Sequence, residues 1–191
     1  TCVIVGIRRI SKSSKKLFFG ISLKEVFNIS PYLMEMDNIF VTRKSTPISN
    51  FQPMLKGNQP TDGGHLILSR EEKSLLLNQF PSSAKFLRRL YGSKDFIQGL
   101  ERWCLWIEDD DLETALNIDP IKSRIENVRK TRLSSKAPST KSKANIAHKF
   151  IQIQDFGKEA IVVPEVSSER RQYIPCGFLD DSTIVTNKIF A

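Results

Sequence analysis

Residues 65–77, HLILSREEKSLLL, place a short apolar strand directly before a capped helix. The hydroxyl of Ser69 can accept a hydrogen bond from the backbone of Glu72, and the Glu72 carboxylate can accept one from the backbone of Ser69 in return. The three leucines that follow supply an apolar face for the helix. This stretch predicts a domain in which strands and helices pack on each other.

A second helix is predicted after Pro81, because proline is favoured at the first position of a helix. Apolar residues repeat there at helical spacing, and the glycine at position 92 suits the helix end. The repeating residues are Phe80, Ala84, Leu87 and Tyr91.

Apolar runs rich in valine, isoleucine and phenylalanine predict strands elsewhere in the chain. They cover residues 2–7, 17–21, 39–42, 102–107, 150–154, 160–166, 173–178 and 184–190. These strands do not alternate regularly with helices, so we expect an α+β fold of mostly antiparallel strands with two to four helices packed on them. Trp103 and Trp106 lie on opposite faces of one predicted strand and are expected in the core.

The positive charge of the chain is concentrated in residues 121–149. The whole chain carries a formal net charge of +8, and this window alone holds nine basic residues and one acid, which also gives +8. A predicted helix begins at Asp119-Pro120 and has an apolar stripe at Ile121, Ile125 and Val128. Residues 134–145, rich in serine, lysine and alanine, are predicted to form a flexible basic loop. One concentrated cationic segment on a neutral body indicates a surface that meets a polyanion.

The overall composition is that of an ordinary globular domain. At 191 residues the chain can bury a core without disulfides or metals. No apolar run approaches the ~18 residues that a membrane span requires. The three cysteines are far apart and are expected to act as small buried apolar residues.

Motifs for catalysis, cofactor binding or metal binding do not stand out. Neither histidine has ligand spacing, and no glycine-rich cofactor loop opens a helix. Asp109-Asp110-Asp111 is interpreted as a turn into a helix rather than as a metal cluster. Asp155-Phe156-Gly157 matches a kinase tripeptide without the rest of a kinase. We therefore expect no enzymatic activity, bound cofactor or metal in this chain by itself.

Four separated blocks carry a family resemblance. They are GNQPTDGGHLILS at 57–69, FIQG with ERWCLW within 96–106, RKTRLSSK at 129–136, and VPEVSSERRQYIPCGFL at 163–179. In this order and at these spacings they resemble the target recognition domain of the MmeI-like DNA methyltransferases, which are single-chain type IIL (type IIG) restriction-modification enzymes. Residues 137–145 depart from the family pattern, which leaves the conformation of that segment open.

The resemblance implies a non-catalytic piece of a larger enzyme. Residues 1–10 would be a residual edge strand of a preceding methyltransferase domain, and residues 11–191 the recognition domain. The parent would use S-adenosylmethionine to methylate adenine N6 in double-stranded DNA, with or without a nuclease domain. Its expected partners are double-stranded DNA and its own methyltransferase domain, without a membrane, in the cytoplasm of a bacterium or archaeon.

Two kinds of DNA contact are expected, besides a loop near the target base. Cations would hold the phosphates: Arg129, Lys130, Arg132, Lys136, Lys141 and Lys143. Forked donors and acceptors would read base edges or face the site: Glu165, Ser167, Ser168, Glu169, Arg170, Arg171, Gln172 and Tyr173. Since neighbouring side chains of an extended segment alternate, one of the two arginines would brace the fold. The loop would contribute Asn58, Asp62, Gly63 and Gly64.

Each assignment has a structural alternative. The cations could form a solvated helix face and a disordered tail. The segment at 165–173 could be an ion-pair cluster that fixes a strand junction, and the glycine loop could be a tight turn. For the whole chain, an RNA-binding domain and a domain that docks its basic helix on an acidic partner remain open, although the basic window has no aromatic residue for stacking on RNA bases.

Overall fold

The computed structural model describes residues 3–44, 46–157, 159–168 and 170–191. The chain divides into two compact units, Thr1–Gln52 and Pro53–Ala191. Among the described residues, no helix is both long and apolar enough to cross a membrane.

The first unit is built on an antiparallel hairpin. Strands β1 (Lys15–Phe19) and β2 (Ser22–Val26) pair in a register that places Phe19 opposite Ser22. Gly20 has a positive φ of 60°, which a two-residue hairpin turn requires. The strands predicted at 2–7 and 39–42 are wrong for the described residues, because 3–7 and 39–42 have no regular structure. The origin of residues 1–10 in a preceding domain stays a prediction.

The second unit holds two small sheets. One has the strand order β3-β5-β4-β8, with β3 at Ile67–Ser69, β4 at Leu87–Tyr91, β5 at Arg102–Leu105 and β8 at Thr183–Val185. Its pairs are antiparallel except for the parallel pair β4 and β8. The other has the order β7-β6-β9 and is antiparallel, with β6 at Glu159–Pro164, β7 at Gly177–Asp180 and β9 at Ile189–Phe190.

Helices pack beside these sheets and complete the α+β fold predicted from the sequence. They are α1 (Arg70–Gln79), α2 (Ser93–Gln98), α3 (Leu112–Leu116), α4 (Asp119–Ser134) and α5 (Pro138–Lys141). Short 3₁₀ helices cover Pro81–Phe86, Asp109–Asp111 and Ser142–Ile146. The predicted capping box at α1 is confirmed, because Ser69 Oγ accepts from Glu72 N at 3.2 Å and Glu72 Oε2 accepts from Ser69 N at 2.8 Å.

The second predicted helix is wrong beyond Phe86. A 3₁₀ helix begins at Pro81 as expected, but residues 87–91 form β4. This strand pairs with β5 on one side and with β8 on the other, so tertiary pairing overrides the helical spacing. Leu87, one of the repeating residues, is buried in β4, so its apolar side chain marks a core position in a strand and not in a helix.

Strands near the C-terminus are shorter than predicted. Residues 150–154 contribute only an isolated bridge between Gln152 and Gln59, and β7 begins at Gly177 rather than at 173. The run predicted at 184–190 is split into β8 and β9.

The main core lies between the four-stranded sheet and α4. Ile121, Ile125 and Val128 of α4 pack in the same buried cluster as Leu68 and Leu105 of the sheet, as the predicted stripe requires. Trp103 and Trp106 pack against this cluster and are half-buried, which confirms their structural role. A smaller cluster of Val162, Val185 and Ile189 joins the two sheets. The core therefore fixes one side of α4 and leaves the opposite side exposed.

Candidate nucleic-acid interface

Exposed cations surround the C-terminal end of α4. Because Ile121, Ile125 and Val128 are buried, the side chains of Arg129 and Lys130 point to solvent on the last turns of the helix. Lys136, Lys141 and Lys143 are also exposed on the segment that follows. None of these five forms an ion pair with an acidic residue that the structure describes. Cations without neutralising neighbours remain available to an external polyanion.

Arg132 does not belong to this exposed set. Its side chain is fully buried, with a relative accessibility of 0%. The guanidinium donates to five backbone carbonyls at 2.7–3.1 Å, namely those of Pro60, Thr61, Lys143, Ile146 and Lys149. The predicted phosphate contact of Arg132 is therefore corrected, because a guanidinium saturated by internal acceptors has no donor to offer DNA. Burial lowers the pKa of Arg132, and the nearby charge of Asp62 opposes this shift.

The segment after α4 is ordered around this arginine. Residues 134–145, predicted as a flexible loop, instead form α5 and the 3₁₀ helix Ser142–Ile146 for most of their length. Three of the five carbonyls that Arg132 binds belong to residues 143–149, and Ala144 and Ala147 are buried nearby. Ala144, part of the composition that predicted a flexible loop, is thus a packing residue, whereas Ala137 is exposed. Lys141 and Lys143 consequently sit on a folded support.

The loop at 57–64 is mainly a structural turn. Asn58 is buried, donates to the carbonyl of Val185 at 2.9 Å and accepts from Gln154 N at 2.8 Å. Asp62 is also buried and accepts from the backbone of Gly64 and Leu66 at 3.0 and 2.7 Å. These contacts correct the expectation that Asn58 and Asp62 lie near the target base and favour the tight turn.

Gly63 and Gly64 are the exposed part of this loop. Both have positive φ values, 66° and 84°. A Cβ on Gly63 would lie 3.1 Å from the side chain of Thr131, so the loop lies against α4 between Lys130 and Arg132. The exposed glycine backbone is therefore next to the exposed cations.

The segment at 165–173 contains two different environments. Glu165, the residue after β6, accepts from Lys56 Nζ at 2.7 Å and from Lys188 Nζ at 3.1 Å. These contacts lower the pKa of Glu165, the Lys56 hydrogen bond contributing most. Glu165 thus forms the ion-pair cluster that was the structural alternative. The expectation that it reads a base is corrected, because two ammonium groups already occupy its carboxylate.

Beyond Glu165 the segment is exposed. Glu169 lies outside the described residues. The other candidate residues of this segment all face solvent, namely Ser167, Ser168, Arg170, Arg171, Gln172 and Tyr173. A turn orders the middle of this segment, since Arg170 N donates to Ser168 Oγ and Arg171 N donates to the Ser168 carbonyl. The expectation that one arginine braces the fold is wrong for the described contacts, because both side chains are exposed and neither pairs with a described acid.

Other charged groups pair within the domain. His148, almost fully buried, contacts Asp109 Oδ1 at 2.8 Å, and Lys149 contacts Asp109 Oδ2 at 2.7 Å. Asp109-Asp110-Asp111 is a 3₁₀ helix that leads into α3, as the turn interpretation predicts. Among the described residues, no group of three or more histidine, cysteine or acidic side chains is placed to hold a metal ion. No local pattern in the chain indicates that Asp109 pairs with a histidine 39 residues away.

A family model described as "MmeI, target recognition domain" matches residues 35–191, most of the chain and all of the second unit. The chain therefore belongs to the MmeI target-recognition-domain family, as the four sequence blocks predicted.

Two relatives illustrate this membership. The chain is 36% identical over 189 residues to DNA methyltransferase A of Bacillus subtilis (strain 168), a match that covers 98% of this chain and 22% of that protein. It also superposes on the type IIL restriction-modification enzyme MmeI, solved in complex with DNA, with a TM-score of 0.75 and 35% identity. That match covers 88% of this chain and 23% of the enzyme. The chain thus spans less than a quarter of the length of each relative.

Proposed function

We propose that this domain recognises a specific sequence in double-stranded DNA on behalf of a larger DNA methyltransferase. The observation that carries the proposal is the set of exposed cations at the end of α4, on a support ordered by Arg132. Family membership adds to it, since the MmeI relative was solved with DNA.

The exposed cations would hold the phosphates. The candidate phosphate ligands are Arg129, Lys130, Lys136, Lys141 and Lys143. The exposed backbone of Gly63 and Gly64 lies beside α4, which carries the first two of them. Contacts of this kind are blind to sequence and release counterions. With ~5 phosphates neutralised, a plot of log K against log salt should have a slope of about −4 to −5.

The exposed segment after Glu165 would read the sequence. Arg170 and Arg171 can each donate two hydrogen bonds to guanine, and Gln172 can pair with adenine. Ser167, Ser168 and Tyr173 would complete this surface. Glu169, outside the described residues, stays assigned to it by prediction. Replacing an arginine that reads a base should weaken binding by ~1–3 kcal/mol and relax one position of the site.

The activity of the larger protein is proposed from the family. It would methylate adenine at N6 with S-adenosylmethionine, which supplies the methyl group when bound by a catalytic domain outside this chain. No residue of this chain is assigned to that cofactor. The second proposed partner is this methyltransferase domain, and the proposed location is the cytoplasm of a bacterium or archaeon.

Selection from a random duplex library, followed by salt titration, tests the proposal. A quadruple variant removes four candidate phosphate ligands by the substitutions Lys130→Ala, Lys136→Ala, Lys141→Ala and Lys143→Ala. We expect the slope to become shallower by about 3.6, since each phosphate that is no longer neutralised accounts for ~0.9. A matched control removes the same charge elsewhere, at the exposed Lys12, Lys16, Lys44 and Lys94.

Two outcomes would refute the proposal. If both quadruple variants lose the same affinity, net charge and not the surface at α4 drives binding. If the chain enriches no duplex sequence, or prefers single-stranded RNA, it does not recognise double-stranded DNA. In the complete methyltransferase, exchanging residues 165–173 with those of a relative should change the methylated site, which sequencing of methylated adenines measures.

A further inference from the structure

The connection between β6 and β7 exposes large apolar side chains near two arginines. Tyr173 is 77% exposed and Ile174 is 73% exposed. Most apolar residues of this size elsewhere in the second unit pack in the two clusters described above, although some, such as Phe178 on β7 and Leu75 on α1, are also exposed. Two adjacent apolar side chains exposed to solvent beside two arginines are consistent with a surface that a partner covers when it binds.

The two ends of this connection are fixed to the domain. At the first end, Glu165 N donates to the carbonyl of Lys188 at 2.9 Å, and its carboxylate binds Lys56 and Lys188. At the second end, Gly177 lies so close to Phe96 that a Cβ would be 2.9 Å from the ring. Tyr173 and Ile174 therefore lie on a connection whose two ends are anchored to the domain, which limits the conformational entropy lost when these side chains bind a partner.

The charge next to the apolar pair indicates what covers it. Arg170 and Arg171 lie three and two positions before Tyr173, both exposed and without a described acidic partner. Duplex DNA offers this combination, because its base edges and its phosphates both accept hydrogen bonds from arginine, while the faces of the stacked bases accept an apolar side chain. Proteins that insert apolar side chains between base pairs unstack one step of the duplex.

We propose that Tyr173, supported by Ile174, inserts between base pairs of the bound duplex while Arg170 and Arg171 hold the connection against it. The inference rests on the proposed function and adds an unstacked step to it. Insertion would explain why an aromatic side chain is kept exposed on this connection.

Local unstacking can be measured with 2-aminopurine, a base whose fluorescence rises when its neighbours unstack. The probes are copies of the duplex that the library selection yields, each with 2-aminopurine at one position. The 191-residue chain is used alone, so that no methyltransferase domain can flip a base. We expect fluorescence to rise at one or two adjacent positions only.

Three variants test whether the Tyr173 side chain causes the unstacking. Tyr173→Ala should abolish the fluorescence rise and weaken binding about 5- to 150-fold, the range for losing one stacked aromatic residue. Tyr173→Phe should retain both. The matched control is Phe178→Ala, an equally exposed aromatic residue on β7 at 78% exposure, and it should change neither. The salt slope should stay constant in all three, because no cation is removed.

Several results would overturn this inference. If the wild-type chain binds its duplex but no probe brightens, or if Tyr173→Ala behaves like wild type, insertion is refuted while DNA recognition stands. If Tyr173→Ala lowers the urea midpoint of unfolding, the side chain stabilises the fold, which also refutes insertion. If no duplex is selected at all, both the inference and the proposed function fail.

Discussion

Replacing Arg132 tests whether the basic segment is organised as the structure shows. In Arg132→Met the apolar part of the side chain is largely kept, but five backbone carbonyls lose their donors. A hydrogen bond to a charged group contributes ~1.5–3 kcal/mol, so the plain sum would exceed ~7 kcal/mol. Each buried carbonyl left without a donor costs ~1–3 kcal/mol, but a single substitution rarely destabilises a protein by more than ~4–5 kcal/mol in total. We expect a loss in that range, against a total stability of ~5–15 kcal/mol.

Urea unfolding followed by tryptophan fluorescence measures this loss, because Trp103 and Trp106 report on the main core. Arg132→Lys is the informative second variant, since it keeps the charge but has three donors for five acceptors. Arg132→Lys should still destabilise by ~2–4 kcal/mol, because at least two buried carbonyls are left without a donor. Arg129→Met is the matched control on the same helix, where an exposed arginine should change stability by less than ~0.5 kcal/mol.

A different pair of results would support the sequence-based prediction that Arg132 contacts a DNA phosphate. If Arg132→Lys keeps the wild-type urea midpoint while Arg132→Met makes the salt slope of DNA binding shallower by ~0.9, the side chain contacts a phosphate and is not buried among carbonyls.

Three further predictions concern local contacts. Ser69→Ala removes the acceptor of the α1 capping box and should lower the free energy of unfolding by ~1 kcal/mol in urea titrations; no loss would mean that the cap does not stabilise the helix. Gly57→Ala would place a Cβ 2.7 Å from the carbonyl oxygen of Val185 and should destabilise by ~1–3 kcal/mol, whereas Gly6→Ala, with nothing within 4 Å, should not. Hydrogen bonds from Lys56 and Lys188 lower the pKa of Glu165, so its stabilising effect is present above the unfolded pKa and is lost as the pH falls through the folded one. Glu165→Gln should therefore be less stable than wild type at neutral pH, and the two urea midpoints should converge in acid; a difference independent of pH would contradict the ion-pair cluster.

Features set by neighbouring residues were predicted well from the sequence. The capping box at Ser69 depends on residues three positions apart, and the buried stripe of α4 depends on helical periodicity alone. The helix predicted through Tyr91 failed because its residues pair with strands at 102–105 and 183–185, and local spacing carries no information on those partners.

The candidate site was predicted in outline but not in its details. Charge density pointed to a segment in which five cations are exposed, while their contact with DNA stays a prediction, and it could not separate Arg132 from these neighbours. The acceptors that bury Arg132 include Pro60 and Thr61, more than 70 residues earlier in the chain. Likewise, Glu165 binds Lys56 across 109 residues. Exposure of Ser167, Ser168 and residues 170–172 follows from their polar side chains, whereas the fixed ends of the connection depend on such distant contacts.

The burial of Arg132 changes the physical basis of the proposed DNA contact. Lysines on a disordered tail lose conformational freedom when they bind, and this loss reduces the affinity gained from each phosphate. Here Arg132 links α4, the loop at 60–61 and the carbonyls of residues 143–149 before any partner arrives. Lys141 and Lys143 are thereby held on a folded support beside the exposed end of α4, so most of the ordering is complete in the free domain. One cation, buried inside the segment, allows the other cations to act as a preorganised surface rather than as a flexible tail.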